Sequence, residues 1–484
     1  MHPLFEKKSN HLYPFLWIHG NESDDEYIEE VEKIYECGCH GLCIEARPHN
    51  DFNGPKWFHD LELIISECKR RGMQVWILDD SHFPTGYANG KIEAEYPYYK
   101  KKYLCLKTFD VAGPLEQGSM ILKYALKSSK DKILGIYLQK RTGFEEIDVA
   151  STIDISNNTE LVEDYSTGKP LYDLMGNPIL DTLGGPCLRV NLDIPKGKWC
   201  VNIIFVSEKG GEKETENHLN PLDSNATRVL LNEVYEPICQ HFSDEFGTTI
   251  MGFFSDEPRF GNIHGAENAS IGRNSEMVLP YIDGLENQLE EKVKLGNIGK
   301  YLPLLFIGTS KEANVLRYHY MDLVSTMYSD NFDGVLGAWC AEHHVMRVGH
   351  TIEDNNAVAR LGYGAGHFFR SMKHADMAGI DVVFFQLMPE YDDMFKSFHK
   401  PSWDGEFFTY VLGKLGSSLA HLNPRAQGNA MCELFGAYGW QAGNKLGKWL
   451  VDYMLVRGIN NLVPHAFSPK SFPDSDCPPH FYAK

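Results

Sequence analysis

Acidic residues follow the apolar runs of this chain with unusual regularity. Glu45 closes GLCIEA, Asp79 and Asp80 close QVWILDD, and Asp256 and Glu257 follow MGFFS. Glu353 and Asp354 come after HVMRVGH, Gln386 and Glu390 after DVVFF, and Glu433 lies within NAMCELFG. Two histidines, His350 and His465, hold similar positions. Bringing carboxylates together away from water raises their pKa values, so the pattern is costly unless it is used. Two uses suit it. A pair of carboxylates can cleave a glycosidic bond, one protonating the leaving oxygen while the other attacks the anomeric carbon or activates water. Clustered oxygens can also hold a hard cation such as calcium or magnesium. The two are compatible, because a cation can anchor sugar hydroxyls beside the reacting groups.

Each candidate has a plainer reading. Asp-Glu-Pro often opens a helix, which would make Glu257 an acid of a first turn. Glu433 could be a satisfied buried carboxylate, and Glu353 is open between partner base, substrate hydrogen bonding and cation ligand. Glu342-His343-His344 lacks the HExxH spacing that puts two imidazoles on one helical face. His19 stands alone on the first run, which weakens a zinc amidohydrolase reading. His350 and His465 read as hydrogen-bond partners of substrate or of neighbouring carboxylates. Small and aromatic residues follow two of the acidic positions, Phe83 to Gly90 and Gly436 to Trp440. There glycine lets backbone approach a ligand and rings such as Tyr438 and Trp440 can stack on a sugar. No GxGxxG or Walker loop opens a helix, so nucleotide binding has no support.

The elements that must position these residues alternate. FLWIHG (15–20), a helix over 24–36 capped by Ser23, GLCIEA (41–46), a helix over 57–71 and QVWILDD (74–80) come first. Apolar runs separated by amphipathic helices mark buried parallel strands. From 97 to 230 the pattern changes to short alternating runs such as KILGIYLQ (132–139), with turn formers between them, as in an antiparallel β module. Strand–helix alternation then resumes, with strands at 251–258, 344–354, 381–386, 429–436 and 461–467. Three strands before the interruption and five after it complete the eight of a closed parallel barrel. The expectation is a (β/α)8 TIM barrel over 1–96 and 231–484, with an antiparallel β domain over 97–230 inserted after the third strand. Active sites of such barrels lie at the carboxyl ends of the strands, where the acidic residues fall.

Composition narrows the partners. Lys and Arg number 46 against 66 Asp and Glu, a formal charge of −20, which suits neither a phosphate backbone nor an anionic membrane. The expectation is no nucleic acid and no membrane partner. No apolar run reaches the roughly 18 residues of a spanning helix, and MHPLFEKKSN lacks the apolar stretch of a secretory signal. With eleven cysteines and no repeated CxxC, the chain reads as a cytoplasmic protein with reduced thiols. Oligomeric state is left open.

Five segments carry a family resemblance: VWILDDSHFPTGYANG (75–90), FFSDEPRFG (253–261), GHTIED (349–354), MAGIDVV (377–383) and CELFGAYGW (432–440). In this order they resemble the strand-end motifs of the family 106 α-L-rhamnosidases and their uncharacterised relatives. The resemblance implies a (β/α)8 catalytic domain, cleavage of plant-type glycans, inversion at the anomeric carbon and, often, calcium. It makes Glu257 and Glu353 the leading acid and base and Glu433 a third active-site carboxylate, whereas strand order pairs Glu257 with Glu433. Asp80 stands where the pattern has Glu, and His82 and Asn89 where it has Gly. Such relatives continue into further β domains, so a chain stopping after the eighth strand reads as a truncated or minimal form.

The combined expectation is a glycoside hydrolase of an oligosaccharide or glycoside. Glu257 is the proton donor, and Glu353 or Glu433 the base or nucleophile. Asp79, Asp80, Asp256, His350, Glu390, Tyr438 and Trp440 shape the sugar subsite. The rivals are a carbohydrate-binding barrel without catalysis and a metal-dependent sugar isomerase.

Overall fold

The computed structural model describes residues 11–469 apart from 123–124, 129, 164–170, 173–174, 176–177, 181–185, 263–270, 273–276, 352–363 and 391–404. The chain divides into two compact units. One comprises Met1–Lys101, Lys213–Ala269 and Val324–Lys484, the other Lys102–Glu212 and Ser270–Leu323.

The first unit holds eight parallel strands in sequence order. They are β1 (Phe15–Ile18), β2 (Gly41–Ala46), β3 (Gln74–Leu78), β4 (Ile250–Asp256), β5 (Met346–His350), β6 (Met377–Val382), β7 (Ala430–Leu434) and β8 (Asn461–Pro464). The edge of β8 returns to β1: Leu12 bridges Leu462 and Leu16 bridges Phe467, and the Tyr13 amide donates to the Leu462 carbonyl at 2.9 Å. That pairing leaves the (β/α)8 barrel nearly closed.

Local chemistry explains the helices that clamp it. Helix α1 (Asp24–Glu36) starts at a capping box in which Ser23 and Glu26 each accept the other's backbone N–H, and three acids fill its positive first turn. It buries Tyr27, Val31 and Ile34. Helix α2 (Pro55–Arg71) begins on a proline, whose missing N–H costs nothing there, and ends at Gly72 with φ +69°, a left-handed stop that glycine adopts freely.

Alternation along the strands sorts the side chains. Phe15 and Trp17, Cys43, Trp76 and Leu78, Phe254, Val348, Met377, Met431 and Val463 fill the barrel interior as one buried cluster. Each large side chain so buried contributes about 1.5–3 kcal/mol. The next residue of the same parity along each strand belongs to the carboxyl mouth, and this places the site.

The second unit is built on an antiparallel sheet. Its long strands Lys102–Leu122 and Pro186–Ser207 pair along their length, flanked by Lys132–Gly143, Glu146–Asp154 and Thr159–Glu163. Val190, Val201, Ile203 and Phe205 pack with Ile136 and Leu138 in its core. The inserted β domain after the third strand is therefore present. Its boundaries differ from the 97–230 expected. Lys213 onward belongs to the barrel unit, whereas Ser270–Leu323, assigned from sequence to the barrel, belongs with the sheet. The reason is a late strand, Leu279–Tyr281, which hydrogen-bonds to the edge at Lys102–Leu104.

Candidate active site

The inward row of the barrel ends in a polar layer. Cys43 leads to Glu45, Phe254 to Asp256, Val348 to His350, Met377 past Gly379 to Asp381, Met431 to Glu433 and Val463 to His465. All six polar residues are buried, each with 5% exposure or less. Tight packing beneath them uses glycine: a Cβ on Gly379 would stand 2.3 Å from the Met431 methyl and 2.8 Å from the Gly349 carbonyl.

His350 is the centre of this layer. Its Nε2 lies 3.2 Å from Asp256 Oδ1 and 3.2 Å from Glu433 Oε2, and its Nδ1 lies 3.1 Å from the Thr351 carbonyl. Burial alone would strip the ring of its second proton. Hydrogen bonds to the two carboxylates, with the charges of Asp256 and Asp381, outweigh that and hold the imidazole protonated well above its ordinary range. Both ring nitrogens then donate, and the carbonyl and the carboxylates accept.

Glu433 is pushed the other way. Burial and the charge of Asp256 raise its carboxyl to about 7, although His350 opposes the rise. His465 Nε2 is 3.5 Å from its other oxygen. Glu45 is likewise raised by burial, with Arg47 opposing and Asp256 adding to it. Arg47 hydrogen-bonds Glu45 and lies over the Trp17 ring, 4.4 Å from its centre.

Glu257 reaches the same cluster by breaking the alternation. In a continuing strand it would face opposite to Asp256, but its φ of +44° turns the chain. A non-glycine residue there costs about 1–3 kcal/mol, a strain typical of functional sites. One Glu257 oxygen, one His350 nitrogen and one Asp381 oxygen come within 4.8 Å of one another, as do Asp256, His350 and Glu433. Arg259 donates to Glu257 Oε2 at 3.0 Å, with both side chains buried. Such a charge-assisted pair favours an ionised Glu257.

Asp256, Glu257, His350 and Glu433 thus come together as one group. The other expected residues are placed differently. Asp79 lies one position out of the inward row and faces the helical layer, where it accepts from Thr85 Oγ1 at 2.7 Å, from the Tyr235 hydroxyl at 2.6 Å and from Ser255. Burial raises it to about 6, against the nearby Arg347 and these three hydroxyls. Asp80 does point inward by parity, but its two oxygens accept the backbone N–H groups of Ser81, Gly86, Ala88 and Asn89 at 2.8–3.0 Å. It organises the loop after β3. The Tyr438 hydroxyl donates to the Leu387 carbonyl at 2.9 Å and accepts its N–H at 3.2 Å, tying two loops together. Gly436 permits that crossing, since a Cβ there would meet Val383 at 2.7 Å. Trp440 is 46% exposed and Glu390 is exposed, on the loops after β7 and β6. Glu353 lies outside the described residues.

Asp381 and Arg259 do not stand out in the sequence, and Glu45 and Arg47 stand there only as strand-end residues without a role. Asp381 was hidden because the sixth strand was placed four residues late.

The buried donors do not fit calcium, which takes six to eight oxygens. Both groupings contain the His350 imidazole, and Arg47, Arg259 and His350 already neutralise the carboxylates.

No family model and no curated protein sequence matches this chain. Among solved structures it is similar to a rhamnosidase from Novosphingobium sp. PP1Y, with 12% identity and a TM-score of 0.56 over 95% of this chain. The alignment covers 55% of the rhamnosidase, so this chain spans about half its length. A second similar structure is the catalytic domain of a beta-amylase from Paenibacillus polymyxa, at 8% identity and a TM-score of 0.46, over 94% of this chain and 92% of that domain. What is shared with the rhamnosidase is the fold. No helix among the described residues is long and apolar enough to cross a membrane.

Proposed function

We propose that this chain is a glycoside hydrolase of the α-L-rhamnosidase type, working by carboxylate acid–base catalysis. One observation carries the reading: two buried glutamates flank a single histidine, Glu433 with its carboxyl raised by burial and Glu257 held by a buried guanidinium. Glu433, raised to about 7, retains a share of its proton near neutral pH, whereas Glu257 accepts from Arg259. This exchanges the roles expected from sequence, where Glu257 was the acid. The motif resemblance and the barrel fold support the same class.

In the proposed reaction the sugar lies across the mouth. Glu433 gives its proton to the glycosidic oxygen as the bond to the anomeric carbon breaks. The carboxylate left behind accepts a hydrogen bond from protonated His350, which stabilises charge where it develops. Glu257 takes a proton from the water that attacks the anomeric carbon, and solvent exchange then resets both groups. Inversion, as the resemblance implies, needs roughly 6.5–9.5 Å between the two carboxyls to admit that water. Asp256 fixes His350, and Asp79, Asp80 and Tyr438 hold the loops rather than the sugar. Assaying 4-nitrophenyl glycosides tests the reading. Release from the α-L-rhamnoside, reduced about 100- to 10,000-fold in Glu257→Gln, supports it; no release from any glycoside, or an undiminished variant, overturns it.

A further inference from the structure

We infer that His19, oriented by Glu22, is a specificity-determining residue whose Nε2 binds a hydroxyl group of the sugar at the barrel mouth. The inference rests on the glycosidase reading for its ligand class. Its geometry is independent of the carboxylate cluster.

His19 follows β1 directly, and the alternation that turns Phe15 and Trp17 into the barrel gives it the next inward position. The backbone leaves the β1–β2 ladder here and is held against the segment after β2, where the Asn50 N–H donates to the His19 carbonyl at 2.8 Å. The imidazole Nδ1 lies 2.5 Å from Glu22 Oε1. The other oxygen of Glu22 accepts the N–H groups of His19, Gly20 and Asn21 at 3.0–3.2 Å and the Tyr27 hydroxyl at 2.6 Å. Those bonds outweigh burial and hold Glu22 ionised, down to about 2. An ionised carboxylate only accepts, so Nδ1 must donate and the tautomer is set.

What is left over is Nε2. It is buried, the residue being 5% exposed, and it has no hydrogen-bond partner among the described residues. Leaving such an atom unsatisfied is unfavourable unless something arrives to pair with it. Helix α1 and the loop before it thus lock the histidine on one side and leave its far nitrogen bare. A sugar hydroxyl fits because it donates to the neutral ring and accepts from the charged one. A methyl or a deoxy position there would leave the nitrogen unsatisfied, so the position discriminates among sugars by one hydroxyl.

Nitrogen-15 NMR of the full chain with labelled histidine tests this, with His19 assigned through His19→Gln. L-rhamnose, D-mannose, D-galactose and D-glucose are added singly as probes. The expected result is a proton on Nδ1 in the free protein and a saturable movement of the Nε2 resonance with at least one sugar. His19→Phe should weaken that sugar about five- to tenfold, the loss falling on KM more than on kcat for its aryl glycoside, and His19→Gln should recover part of it. An Nε2 resonance unmoved by all four sugars, as a trapped water would leave it, overturns the inference. So does a proton found on Nε2 with Nδ1 bare. Hydrolysis of aryl glycosides with an unmoved Nε2 sinks this inference alone; a moved Nε2 without hydrolysis sinks the catalytic reading alone.

Discussion

Replacing Glu433 with Gln should make the protein less sensitive to rising pH. In the unfolded chain this carboxyl has its ordinary value of 4.5, and in the folded chain it sits at about 7. A raised acid stabilises the fold fully below its unfolded value, and that contribution is lost as pH rises through the folded one. At 1.36 kcal/mol per tenfold change in proton affinity, the loss between pH 4.5 and 7 is about 3 kcal/mol. Gln keeps the shape and cannot ionise. Its lost hydrogen bonds should cost about 1–2 kcal/mol at acid pH, where the variant is therefore the weaker protein. Near pH 8 the order should reverse or close. Urea unfolding of both proteins at several pH values measures the difference directly. Asp79, also raised by burial but bonded to Thr85, Tyr235 and Ser255 outside this cluster, cancels in that difference. Parallel stability curves for the two proteins would refute a proton on folded Glu433.

Further outcomes follow from the same geometry. The kcat/KM profile of the wild type should fall on the alkaline side near pH 7, where Glu433 loses its proton, and a profile flat through that range would remove Glu433 as the acid. Asp79→Asn should leave KM within about twofold while costing about 1–3 kcal/mol in urea unfolding, since it faces Tyr235, Ser255 and Thr85 rather than the mouth. Arg259→Gln removes the buried cation that donates to Glu257 and should lower kcat/KM about tenfold or more on an aryl glycoside, with unchanged kcat/KM counting against Glu257 as the base. Chelator should leave activity unchanged, because the buried donors suit calcium poorly; loss of activity restored by added calcium would contradict that.

Much of the barrel was legible because its chemistry is repetitive. Eight apolar runs, each needing burial on both faces, leave few arrangements, and the antiparallel interruption was visible in its short alternating runs. The site was legible as acids at strand ends but not as a geometry. Asp79 and Asp80 are neighbours, and nothing in the sequence says which one faces inward. The apolar run from Asp381 to Phe385 reads as a strand, yet the ladder stops at Val382, and Phe384 and Phe385 adopt positive φ. Asp381 therefore closes β6 instead of opening it. Glu257 enters the cluster through a left-handed backbone that no residue type announces, and its Arg259 partner, two residues on, is not visible as such in the sequence. His19 looked isolated because its function depends on Glu22, which belongs to the turn ahead of the next helix.

The most direct measurement compares Glu433→Gln with the wild type on two aryl α-L-rhamnosides differing only in the acidity of the leaving phenol. A missing proton donor matters where the leaving group needs protonation, so kcat/KM should fall about 100-fold or more on the poor leaving group and less than about tenfold on the dinitrophenyl compound. Equal losses on both substrates would contradict the assignment of Glu433 as the acid.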